Sequence, residues 1–215
     1  MSLLFDTRSS TSEEESAHSE ARNDGDYVLL LTVPHYCIIS RNIDQGCDAN
    51  VDIYAQQIHE QNPRHSEPPL LGTEERRRAD ENRRQGRNSK MRVALRAKLE
   101  DHSAYPRLLV LDVHSFPRRF DWESGRATQI VLLDDLVKGE WSREATLLEQ
   151  ELKSEEFSVK IVRAAKRNDI QQEARKNGRP AVLMEIMDET TSQEAARAGL
   201  AVRRWADRYF YSQPQ

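Results

Sequence analysis

Cysteine is nearly missing from these 215 residues: only Cys37 and Cys47 occur. One disulfide is arithmetically available, but a disulfide-stapled scaffold is excluded. Two thiols in a chain of this size fit a reducing, cytoplasmic compartment. Long apolar runs are lacking too. The longest, Tyr27 to Val33, falls well short of the about 20 residues that a membrane-spanning helix needs. The segment before it is acidic rather than signal-like, and no membrane partner is expected. Nor is there an excess of one charge, since 32 basic residues stand against 36 acidic ones for a formal net charge of −4. Nothing in that balance draws the whole chain to nucleic acid or to an anionic lipid surface. With hydrophobic residues at 37% and charged residues at 32%, the apolar side chains must be concentrated in a few strands and helix faces.

Residues 1–25 are rich in Ser, Glu, Asp and Arg. They cannot bury enough surface to offset chain entropy, so a disordered tail is expected, followed by a single α/β domain over 26–215. Tyr27 to Val33 reads as a strand buried on both faces, which points to a parallel central sheet. Val51, Tyr54, Ala55 and Ile58 recur at helical spacing and place a helix within 48–61, after a loop that holds Asp48. From Asn62 to about Arg92 the chain is a long polar connection, broken early by Pro63, Pro68, Pro69 and Gly72. A helix over Met91 to Asp101 follows, with Met91, Leu95 and Leu99 on its apolar side and Arg92, Arg96 and Glu100 elsewhere. Further strands are predicted at Leu108–Val113, Thr128–Leu133, Val159–Val162 and Ala181–Ile186. Ser142 N-caps a helix to about Leu152, and Thr191 with Glu194 forms a capping box for the last helix. Strands alternating with helices give a three-layer α/β fold, with a mostly parallel central sheet flanked by helices.

Three of the apolar runs stop on groups that carry chemistry. The first ends at Pro34-His35, the second runs from Leu108 into Asp112, His114 and Ser115, and the last reaches Glu185. Ligands of open α/β sheets bind beyond the carboxyl ends of the strands, which is where these groups would gather. Asp48, just past the first strand, could join them. Two imidazoles and a carboxylate make a three-ligand zinc set with one position open for water. A carboxylate left over could then take a proton. Glu185 lies inside an apolar strand, where an acid is costly unless paired, protonated or bound. Asp112, two residues before His114, reads as an acceptor that orients an imidazole. The ordinary alternatives are a turn residue for His35 and plain loop chemistry for Asp48.

Pro34-His35, Asp48-Ala-Asn-Val-Asp52, Asp80-Glu-Asn82-Arg83, Asp112-Val-His114-Ser115 and Glu185-Ile186 occur in that order. Their order and rough spacing resemble the N-formylglutamate amidohydrolase family over about residues 27–190. That family is related in fold to the zinc carboxypeptidases and the aspartoacylase-type deacylases. The resemblance implies a zinc-carboxypeptidase-like fold and a metal-dependent amidohydrolase with one zinc per chain. His35, Asp48 and His114 would be the metal ligands, with Asp52 the alternative to Asp48. Glu185 would be the general base. Asn82 and Arg83 would engage the carboxylate of a small N-acyl amino acid, a task suited to a guanidinium. Arg175 would be a further substrate-binding arginine.

Two other readings are open. The segment from Arg76 to Arg92 also holds Arg77, Arg78, Arg83, Arg84, Arg87 and Lys90, and could meet nucleic acid or an acidic partner. Glu74 and Glu75 flank it, Asp80 and Glu81 interrupt it, and no aromatic side chain interleaves it, so a solvated surface is the expectation. Tyr36-Cys37 stand where the family has small residues after its first His. That departure leaves room for a catalytically silent relative acting as a binding module.

Overall fold

A computed structural model of the chain describes residues 26–35, 48, 50–72, 88–117, 128–136, 139–163 and 168–211. Its strands are β1 (Val28–Val33), β2 (Leu70–Leu71), β3 (Leu108–Phe116), β4 (Ile130–Asp134), β5 (Val159–Arg163) and β6 (Ala181–Met187). They form one sheet in the order β2-β1-β3-β6-β4-β5. Every pairing is parallel except that of β4 with β6. The helices are α1 (Val51–Gln61), α2 (Lys90–Glu100), α3 (Arg143–Ser154), α4 (Asp169–Lys176) and α5 (Ser192–Tyr211).

Because successive strand residues point to opposite faces, the buried strands feed two cores. Leu29, Leu31, Leu109, Leu111, Val182 and Met184 pack with Tyr54 and Ile58 of α1, Leu148 of α3 and Trp205 of α5. On the other face Val28, Leu30, Leu108, Val110 and Ala181 meet Met91, Leu95 and Leu99 of α2 and Ile170 and Ala174 of α4. This is the three-layer arrangement expected from the sequence. On that second face the strands change character toward their carboxyl ends. The alternation that supplies Val28, Leu30, Leu108, Val110 and Ala181 leads on to Thr32, Asp112, His114 and Glu185.

Several local expectations change. β3 does not stop before His114; it continues through Phe116, with all nine of its residues buried. The extra length comes from β6, which pairs with His114, Ser115 and Phe116 and so satisfies their backbone groups. α4 was not anticipated from the periodicity, because its apolar contribution is only Ile170 and Ala174. It is held instead by polar contacts. Asn168 caps it through the Gln171 N–H, and the Gln171 amide donates to the Leu133 and Ala181 carbonyls, each at 3.1 Å. Arg92, read as lying off the buried face of α2, is 2% exposed and ion-paired with Glu173 of α4. That pair ties together the two helices of one layer, and it removes Arg92 from any solvated basic surface.

The caps form as expected. Ser142 accepts from the Ala145 N–H at 3.2 Å, and Thr191 and Glu194 close their box with reciprocal bonds of 2.9 and 3.2 Å. Among the described residues no helix is long and apolar enough to cross a membrane. Residues 1–25, expected to be a tail, and most of the arginine-rich run, 76–87, lie outside the described residues.

Candidate active site

β1 delivers Pro34-His35 at its carboxyl end, and β3, its neighbour in the sheet, delivers His114. Asp48 sits before α1, with its backbone N–H donating to the His35 carbonyl at 3.2 Å. The three side chains meet. Asp48 Oδ2 lies 3.2 Å from His35 Nδ1 and 3.0 Å from His114 Nδ1, and the two imidazole nitrogens are 3.2 Å apart. One donor atom from each of the three falls within 4.8 Å of the others, a group that could hold a metal ion. Asp52, in the first turn of α1, is not part of this group.

The orientation of His114 has a clear cause. Its Nε2 lies 3.2 Å from Asp112 Oδ2, and Asp112 Oδ1 accepts from the Thr32 hydroxyl at 2.6 Å. Thr32 and Asp112 are register partners on adjacent strands, so the sheet itself fixes the carboxylate that fixes the ring. With Nε2 engaged, Nδ1 is the nitrogen turned to Asp48 and His35. The two rings stand edge to face, 86° apart. The Ser115 N–H also approaches Asp48 Oδ2, at 3.4 Å.

The charges in this cluster act on one another. Burial works against an ionised Asp48, yet hydrogen bonds from His114 and His35 outweigh it and hold the carboxyl well below the usual carboxylate range. Burial likewise disfavours a charged His114, but Asp112, Asp48 and Glu185 prevail and raise the imidazole well above its ordinary value. Glu185 stands directly opposite His114 in the β3–β6 register, with Val131 of β4 on its other side. Burial pushes its carboxyl up to about 7, helped by Asp48 and Asp112 and opposed by His114 and His35.

Five of the residues picked out from the sequence are therefore brought together: His35, Asp48, Asp112, His114 and Glu185. Arg175 is not. It pairs with fully buried Asp134 at the end of β4 and donates to the Ala181 carbonyl at 3.1 Å. β4 runs antiparallel to β6, so this places Arg175 at the amino end of β6, away from Glu185. A buried carboxylate needs a cation, and that requirement accounts for Arg175. Asn82 and Arg83 lie outside the described residues. Thr32, Asn50, Tyr54 and Asp188 take part in the surroundings without having been singled out. Tyr54 in particular reads in the sequence only as one of the apolar positions of α1.

No protein-family model matches the chain, and no curated protein matches it. Solved structures do. The gene product Atu2144 of Agrobacterium tumefaciens is similar with a TM-score of 0.58 and 17% identity, over 88% of this chain and 92% of that one. An N-formylglutamate amidohydrolase from Ralstonia eutropha JMP134 gives 0.53 and 15%, over 86% and 96%. Csd4 of Helicobacter pylori, a D,L-carboxypeptidase, gives 0.56 and 12%, over 90% of this chain and 53% of its own. The chain shares the α/β fold of these structures, among them an amidohydrolase and a carboxypeptidase, with a His-Asp-His group gathered where its central strands end.

Proposed function

We propose that the chain is a zinc-dependent amidohydrolase that cleaves the amide bond of a small, N-formylglutamate-like N-acyl amino acid, with one zinc ion per chain. One observation carries the reading: His35, Asp48 and His114 converge while Glu185 stands across from His114 on the next strand. The donor chemistry fits the ion. Two ring nitrogens and a carboxylate oxygen face one small volume, and such a set leaves zinc a further position. His35, Asp48 and His114 would hold the ion, while Asp112 fixes the tautomer of His114 and raises its basicity. Zinc bound there supplies Lewis acidity, polarising an acyl carbonyl and bringing the deprotonation of water toward neutral pH.

Glu185 acts as the base. Its carboxylate takes the proton of the attacking water and gives it to the leaving nitrogen. Burial raises the Glu185 carboxyl, and a carboxyl raised by burial is a stronger base than a solvated one. Asn82 and Arg83 would hold the substrate carboxylate, an assignment that rests on the family resemblance. Similarity of fold to an N-formylglutamate amidohydrolase and to a D,L-carboxypeptidase supports amide or peptide hydrolysis. Elemental analysis and a hydrolysis assay test the reading together. The purified chain should carry about one zinc and release free amine from N-formyl-L-glutamate, and His114→Ala should lose both. A chain without zinc, or a His114→Ala variant that keeps it, would refute the metal assignment.

A further inference from the structure

His114 is held by a ladder and His35 follows one after Pro34, but Asp48 lies on no strand; it precedes α1 by a short segment. Asn50 makes the turn into α1 with a left-handed backbone, φ 56°, a conformation that asparagine tolerates better than most residues. Its side-chain amide donates to the Asp188 carbonyl at 3.2 Å. One turn into α1, the Tyr54 hydroxyl donates to that same carbonyl at 2.7 Å, with the Met187 and Thr190 carbonyls also within 3.3 Å. Asp188 comes directly after β6, three residues beyond Glu185. Its N–H donates to the Phe116 carbonyl at 2.9 Å, two residues beyond His114 on β3.

We propose that Asp188, gripped by Asn50 and Tyr54, is a positioning hub that sets where Asp48 stands relative to His114, with the Tyr54 hydroxyl as its principal anchor. This rests on the metal reading given above. The ring of Tyr54 is fully packed in the core and a phenylalanine would pack there equally well. Its hydroxyl therefore serves the link between the Asp48 segment and the ends of β3 and β6. The consequence is specific. Loss of the hydroxyl relaxes the Asp48 carboxylate with respect to the two imidazoles and weakens metal binding more than it weakens the fold.

Zinc affinity, measured by chelator competition, and the visible spectrum of the cobalt(II) form test this on the full chain. Tyr54→Phe should bind zinc roughly 10-fold more weakly than the parent chain, as outer residues of metal sites do, with a shifted cobalt spectrum and a native circular dichroism signature. Asn50→Gly, which keeps the left-handed turn without strain, should do the same and decides the matter if Tyr54→Phe does not fold. Unchanged affinity and spectrum in the folded variants would overturn the hub while leaving the metal reading standing. Failure of the parent chain to bind zinc would overturn both.

Discussion

Replacing Glu185 with glutamine changes one ionisable group and almost no volume, and its effect on stability can be worked out for the metal-free protein. In the folded chain the Glu185 carboxyl has moved from 4.5 to about 7, with burial the largest cause. The folded state thus holds a proton that the unfolded state releases, so stability falls as pH rises from about 4.5 to about 7 and the loss is complete above that. At about 1.4 kcal/mol per unit, ionised Glu185 costs the metal-free protein about 3 kcal/mol at pH 8. Glutamine cannot ionise and escapes that cost. Urea unfolding of chelator-treated protein should therefore find Glu185→Gln more stable than the parent by about 3 kcal/mol at pH 8. The advantage should shrink as pH falls through 7 and vanish near 4.5. A variant equally or less stable at pH 8 would refute the reasoning, because it would mean that the carboxylate is comfortably paired. With zinc restored, the same variant should keep its metal and lose turnover by a factor of about 10² to 10⁴, the usual worth of a positioned base. Loss of the metal instead would make Glu185 a ligand.

Further outcomes follow from the same geometry. Asp112→Asn should weaken zinc binding roughly 10-fold by loosening the His114 ring; chelator competition measures it, and an unchanged affinity would show that the contact does not orient the ligand. Arg175→Met should destabilise the chain by about 3 kcal/mol, because buried Asp134 loses its cation, while KM of the folded fraction stays at the parent value. A raised KM would return Arg175 to the substrate. Trp205→Ala should cost about 4 kcal/mol in chemical denaturation, since its ring is fully buried and its Nε1–H donates to the Glu144 carbonyl at 2.8 Å. A loss under 1 kcal/mol would mean that α3 and α5 do not depend on it.

The residues alone determine five of the six described strands and most helices, because local patterns encode them, whereas β2 falls in what reads as a polar connection. A continuous apolar run of strand length such as Val28–Val33 reads as a strand covered on both sides, and Ser142 or Thr191 with Glu194 mark helix starts through bonds within a few residues. Helix α4 escapes for the same reason: with two apolar side chains it owes its place to Gln171 and to the Arg92–Glu173 pair, contacts made across the chain. Four of the five groups at the candidate site are likewise visible as polar residues on or just after apolar runs, and Asp48 stands in the loop that follows the first of them. Their arrangement is not. That Thr32 steadies Asp112, that Glu185 faces His114 and that Arg175 serves Asp134 all depend on which strands are neighbours and in which direction they run. Strand order and register are settled by the packing of both layers at once, and no stretch of the sequence carries that information by itself. Tertiary structure thus turns a list of suitable donors into one cluster, and excludes from it the arginine whose charge was needed at the other end of the sheet.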